Sequence, residues 1–422
     1  MADLIALSTQ IIDEGARIAP IRINQERSEI ADGVMLVESF SNVAALTTGD
    51  GLILSDTSGA HTGRAVVQCL REWTPEPFHT ILYTHGHIDH VGGARYFAAN
   101  AAELGHPAPR FLGHENLPAR FERYELTDGY NTTINSRQFQ GFNRLSIGGE
   151  QRFLPLGTPL PDVTFRDRMA VNVGGVRMEL RHAKGETDDH VWAWLPERKI
   201  LLSGDFFIWN FPNAGNPQKV QRFPREWAAA LREMSARGAE LLVPAHGFPI
   251  AGVDRVRRVL DDTATALEIL VAGTLEQMNA GERLDTILHT LKLPESLAAK
   301  PYLRALYDEP EFVIHNIWRL YGGWYDGNPA RLKPAPDAAL ASELAQLCGG
   351  VPALVARAEA LAQAGDLRLA CHLVETAVLA APDDARAHGA RAAIYSERRE
   401  RESSLMAKGI YGFAAAESAE RH

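Results

Sequence analysis

The 422-residue sequence predicts an α/β fold: two β-sheets packed together with helices outside, followed by an all-α region. Two observations predict it. From residue 31 to Pro249, short β-branched and apolar runs alternate with amphipathic helical stretches. After Pro249 that alternation stops, and the chain turns helical in period and then Ala/Leu-rich.

Gly33 to Thr57 reads as strands divided by Thr48-Gly49-Asp50-Gly51, a hairpin signal. Gly63 to Trp73 is an amphipathic helix, with Ala65, Val66, Cys69 and Leu70 at helical spacing. Thr80 to Tyr83 is a buried-strand run, and Val171 to Arg181 and Val191 to Ser203 predict further strands. Asp254 to Met278 and Leu284 to Leu293 predict helices, as do 336–347, 351–364, 367–380 and 383–398. Gly365-Asp366 and Pro382-Asp383-Asp384 punctuate the last three, which resemble stacked helical hairpins. The change of character places a boundary near 254, between a sheet-containing domain over 1–253 and a helical one over 254–422.

Composition narrows the function. Hydrophobic residues at 45% and charged residues at 23% are those of a folded globular chain. Acids outnumber bases 53 to 43, and a net charge of −10 repels phosphate backbones, which argues against a nucleic-acid partner. Cys69, Cys348 and Cys371 are too far apart for a metal knuckle or a disulfide framework. The N-terminus has acids where a signal peptide needs positive charge, and no run approaches the ~18 apolar residues of a membrane span, so a cytoplasmic protein is expected.

The chemistry concentrates in Thr84-His85-Gly86-His87-Ile88-Asp89-His90-Val91-Gly92-Gly93. Three imidazoles and a carboxylate directly after an apolar strand suit zinc or a similar transition metal. In a loop, His85 and His87 can converge on one ion while Asp89 and His90 turn toward a second. HxHxDH after a strand resembles the signature of the metallo-β-lactamase superfamily. That resemblance implies an αββα sandwich with two divalent metal ions, zinc being the expected ion. It also implies a third ligand for the first metal, then a bridging carboxylate and a final histidine, each at a strand end. Asp205, closing Leu201-Leu202-Ser203-Gly204-Asp205, and His246, closing Leu241-Leu242-Val243-Pro244-Ala245-His246, fit the last two. Glu186 occupies the remaining slot, where most of the superfamily has histidine, with His182 and His190 as its competitors.

Glutamate there is similar to the alkylsulfatase (type III sulfatase) branch. So is Gly323-Trp324-Tyr325-Asp326-Gly327-Asn328-Pro329, which resembles a stretch of the alkylsulfatase dimerisation domain. Gly129 to Gln138 is similar, more loosely, to an active-site loop of that family. The resemblance implies a homodimer and a metal-dependent hydrolase in which a metal-bridging hydroxide attacks an alkyl sulfate or related small hydrophobic ester. Lactone, carboxyl ester, thioester and phosphoester substrates are the alternatives. His315, Arg319, Tyr325, Arg137 and Tyr130 are the candidates for leaving-group and anion chemistry. Two departures stand out. The sequence leaves no room for the C-terminal lipid-binding-like domain of the alkylsulfatases. It also has no arginine in 206–218, where that family holds the sulfate, although Lys219 and Arg222 follow closely. The aromatic residues of that segment, Phe206, Phe207, Trp209 and Phe211, are expected in the core.

Overall fold

The computed structural model describes residues 2–139 and 152–421, which form two compact units. One comprises residues 2–132, 152–281 and 286–321, the other residues 133–139, 282–285 and 322–421.

The first unit contains two sheets. One runs in chain order through β1 (Arg27–Ala31), β2 (Val34–Val37), β3 (Val43–Thr48), β4 (Gly51–Ser55), β5 (Phe78–Leu82), β6 (Arg110–His114) and β7 (Val163–Phe165). It is antiparallel up to β4 and parallel from β4 to β7. The other comprises β8 (Arg168–Val173), β9 (Val176–His182), β10 (Val191–Leu195), β11 (Ile200–Gly204), β12 (Leu241–Pro244) and β13 (Ile250–Ala251), with β11 and β12 parallel and the other neighbours antiparallel. The expected turn at Gly49-Asp50 pairs Thr48 with Gly51.

Burial follows composition. The uninterrupted apolar runs of β4, β10 and β11 are buried at every position, as strands covered on both faces must be. β8, which alternates, is largely solvated on one face. Val66, Val67 and Leu70 of helix Gly63–Arg71 pack into the layer of Leu52, Leu54 and Ile81, and Phe78 meets Phe97 of helix Ala94–Glu103 at 5.0 Å between rings.

Pairing direction then assembles the site. Because β4 and β5 are parallel, Asp56 and Thr84-His85 leave the first sheet at the same edge. Because β11 and β12 are parallel, Asp205 and His246 leave the second sheet together. Val191 N donates to Thr84 O (2.7 Å) and Asn42 N donates to Ala245 O (2.6 Å), tying those edges to each other.

The helices expected over 254–278, 336–347, 351–364, 367–380 and 383–398 are Val253–Asn279, Asp337–Leu347, Val351–Gln363, Leu367–Ala380 and Ala385–Arg401. Val253–Asn279 packs along Pro224–Ser235 inside the first unit, where Arg232 bonds Asp261 and Glu268. The change at 254 is thus one from sheet to helix, while the compact units divide elsewhere. Gly129 to Gln138, expected as a loop, lies largely within helix Asp128–Gln138. In the second unit, small residues let helices approach closely: Ala358, Ala370, Ala377 and Ala387 are buried with Leu354, Val374 and Ile394. No helix among the described residues is long and apolar enough to cross a membrane on its own.

Candidate metal centre

The seven residues singled out as ligands converge at the strand edges of the first unit. Three overlapping groups place their nitrogen and oxygen atoms within 4.8 Å of one another: His85, His87 and Glu186; His85, His90 and Asp205; Asp89, His90 and His246. Asp205 stands between them. Its Oδ2 lies 3.8 Å from His85 Nε2 and 3.4 Å from His90 Nε2, and its Oδ1 lies 3.5 Å from His246 Nε2. Asp89 Oδ2 lies 3.4 Å from His246 Nε2, and Glu186 Oε1 lies 3.4 Å from His87 Nδ1.

The donor set fits divalent ions. His90 Nε2, Asp205 Oδ1 and Glu186 Oε2 are buried with no hydrogen-bond partner, and His85 Nε2 faces His87 Nδ1 at 2.9 Å. Buried polar atoms left unpaired together are costly unless something binds them. Imidazole and carboxylate are the ligands of zinc and its neighbours.

Surrounding residues aim these groups. Asp56, in the left-handed region at φ 61, accepts from Thr84 N (2.8 Å) and Thr84 Oγ1 (2.9 Å) and takes the Nδ1 proton of His90 (2.8 Å). That bond sets the tautomer that presents Nε2 to the cluster. Arg120 donates from Nε to Asp189 (2.8 Å) and also bonds Asp188, while Asp189 accepts the Gly86 N–H between the two histidines (2.9 Å). Asn42 Nδ2 donates to Gly247 O (2.7 Å), so with its own N–H on Ala245 it holds the chain on both sides of His246. At Gly204 (φ +54) a Cβ would sit 2.8 Å from His190 Nε2, so glycine is needed before Asp205.

The clustered carboxylates and imidazoles shift one another's titration. Burial disfavours the charged form of His246, yet Asp205 and Asp89 push it up to about 10. Burial drives Glu186 up to about 8 against the pull of Arg222, with Asp205 and Asp89 repelling it further. Burial also acts on Asp205, but His90 and His246 hold it well below the usual carboxylate range.

The competitors for the Glu186 slot have other partners. His190 is buried, accepts from Asp205 N (3.2 Å) and stacks on Phe206 at 4.2 Å. His182 stacks on His114 at 3.7 Å and bonds His190 O through Nδ1. Phe206, Phe207, Trp209 and Phe211 are core. Arg222, one substitute for the missing arginine, is spent on Glu186 Oε1 (2.8 Å).

None of the five other candidates belongs to these three ligand groups. His315 and Arg319 lie exposed on helix Pro310–Gly322. Tyr130 is 60% exposed on helix Asp128–Gln138. Arg137 and Tyr325 belong to the second unit, where the Arg137 guanidinium sits 5.9 Å over the Phe413 ring. Sequence reasoning passed over Asp56, Arg120, Asp189 and Asn42. Of these, Asp56 carried a signal, since it ends an apolar strand as Asp205 does.

Residues 36–246 match the family model of the metallo-beta-lactamase superfamily, and the chain belongs to that superfamily. Residues 283–421 match the model described as alkyl sulfatase dimerisation. The chain is 28% identical over 363 residues to a linear primary-alkylsulfatase of Pseudomonas sp., covering 81% of this chain and 67% of that protein. It is 28% identical over 373 residues to an (R)-specific secondary-alkylsulfatase of Pseudomonas sp., covering 82% of this chain and 55% of that one. Among solved structures it is similar to the stereoselective inverting sec-alkylsulfatase Pisa1 from Pseudomonas sp., at 25% identity and a TM-score of 0.81, over 94% of this chain and 66% of that chain.

Proposed function

We propose that this protein is a two-metal hydrolase of sulfate or related esters of hydrophobic alcohols, acting as a homodimer. The observation that carries the reading is Asp205, whose two oxygens face the histidines of both ligand groups. His85, His87 and Glu186 would hold one divalent ion and Asp89, His90 and His246 the other, with Asp205 shared and zinc the favoured ion. When bound, such ions supply Lewis acidity and bring the pKa of water from 15.7 to about 7.

The chain's own residues do the rest. Asp56, Arg120 and Asn42 orient the ligands. Lys219 would meet the substrate anion: its ammonium lies in the fields of Asp89 and Glu186, while burial and Arg222 pull it down to about 7. An anion bound there favours its charged form. The phenol of Tyr307 is kept protonated by burial and then by the charges of Glu186 and Asp89, so it serves as a donor to the ester or its departing oxygen.

The decisive test is sulfate release from a medium-chain alkyl sulfate by zinc-loaded protein, followed by ion chromatography, with Glu186→Ala as control. Release that vanishes in the variant supports the reading. A protein holding two metals that releases no sulfate is better read as a lactone, carboxyl ester, thioester or phosphoester hydrolase. The commitment of Arg222 to Glu186 is the observation that favours that second reading.

A further inference from the structure

Arg222 is a buried cation in direct contact with the ligand cluster, 1% exposed. Its Nη1 donates to the main-chain carbonyl of Glu186 (2.7 Å) and forms an ion pair with the carboxylate Oε1 of the same residue (2.8 Å). Asn213 Nδ2 donates to the same Oε1. One carboxylate oxygen therefore has both a hydrogen-bond donor and a cation against it, while the other, Oε2, is buried with no hydrogen-bond partner. Arg222 is itself held in place: its N–H donates to Asn316 Oδ1 (3.3 Å) and its carbonyl accepts from Asn316 Nδ2 (3.0 Å).

The charge count explains why such a clamp is needed. Asp89, Asp205 and Glu186 bring three carboxylates into one pocket. Taking a further anion out of water is expensive unless a cation pairs with it. A neutral imidazole at 186 would carry no such cost, and a guanidinium beside it would repel the incoming metal.

We propose that Arg222 is a positioning residue that makes a carboxylate a workable metal ligand at position 186. It offsets the added charge, and with Asn213 it fixes the carboxylate in place beside His87. Glu186 and Arg222 are then a matched pair, and changing one alone is worse than changing both. The inference rests on the proposed reading of His85, His87 and Glu186 as a metal site.

The test is cobalt and zinc binding by purified full-length Arg222→Met, Arg222→Lys, Glu186→His and Glu186→His/Arg222→Met, read by chelator competition and the cobalt visible spectrum. One of two metal equivalents should weaken by about 10–100-fold in Arg222→Met, the range for loss of a residue supporting a ligand, while the other is kept. Arg222→Lys, which keeps the charge but loses the fork, should fall between it and the unmodified protein. The double variant should bind the weakened metal at least about tenfold more tightly than Glu186→His alone, reporting the coupling of the pair. A merely structural role would not produce that rescue.

Unchanged affinity for both metals in Arg222→Met, with KM raised instead, would assign Arg222 to the substrate and overturn the proposal. A double variant no better than Glu186→His would overturn it too. If Arg222→Met does not fold, Arg222→Lys and the double variant decide the matter by the same criteria. Failure of the underlying reading looks different: Glu186→Ala would then bind metal as the unmodified protein does.

Discussion

Asp205 and Asp189 are both buried aspartates, yet their partners predict different losses. Asp205 faces both ligand groups, so Asp205→Asn should cost both metal equivalents, measurable by metal analysis of the desalted protein. Asp189 is paired with Arg120 and with the Gly86 N–H. Burial alone would raise its pKa, but the Arg120 guanidinium together with Thr187, His190 and the Gly86 N–H holds it below the ordinary carboxylate value. A depressed carboxylate contributes stability that is full above its unfolded value near 3.9 and is lost as pH falls through the lower folded value. Asp189→Asn should therefore cost about 3–5 kcal/mol at pH 7, as expected when one partner of a buried pair is removed. Its unfolding free energy should also fall less steeply below pH 4, which denaturant titrations at pH 7 and 3 would show. Tyr307→Phe should leave metal content intact and lower kcat/KM about 10–100-fold, the cost of one hydrogen bond to a charged group.

Among the elements, the loop from His85 to Gly93 depends on glycines for close approach. A Cβ on Gly86 would meet Arg120 Cδ at 2.6 Å and Asp189 Oδ2 at 3.0 Å. Gly86→Ala should thus push the clasp off the loop, destabilise by about 1–3 kcal/mol and weaken metal binding. Thermal unfolding and chelator competition on the same sample check both effects. The long helix Val253–Asn279 shows the limit of reading elements from pattern. Its period was plain, but that it packs on Pro224–Ser235 was not, because both helices offer apolar faces that several partners could cover.

At the level of the whole protein, metal binding and pH should be coupled. Proton competition on His246 and Glu186 means that zinc binding should release protons at neutral pH and tighten as pH rises. Calorimetry in buffers of different ionisation enthalpy measures that release. Zinc at 100 times its Kd should stabilise the fold by about 2.7 kcal/mol per site, seen as a higher Tm than after chelation. In the second unit, helix Asp337–Leu347 exposes Leu340, Leu344 and Leu347, the last at 82%, along one face. If the proposed homodimer uses that face, Leu344→Glu/Leu347→Glu should sediment as a folded monomer. A variant that remains dimeric would put the interface elsewhere.

How much was legible depended on how local the information was. HxHxDH, the strand-ending Asp205 and His246, and Glu186 in the family's slot were readable because ligand chemistry restricts residue type at fixed places along the chain. Strand and helix periods were readable for the same reason, since each reports a local backbone geometry. Partnerships were not. Arg222 was a candidate for substrate until its place beside Glu186 was known, and nothing in the spacing of Arg120 and Asp189, or of Asn42 and His246, announces that they touch. The strand-end residues meet because parallel pairing in each sheet brings distant segments to one edge. The sequence alone therefore determined the fold class and which candidate ligands the chain carries. Which cation answers which carboxylate was decided only by tertiary structure, because charge pairing depends on distance through space and the chain encodes that only once it is folded.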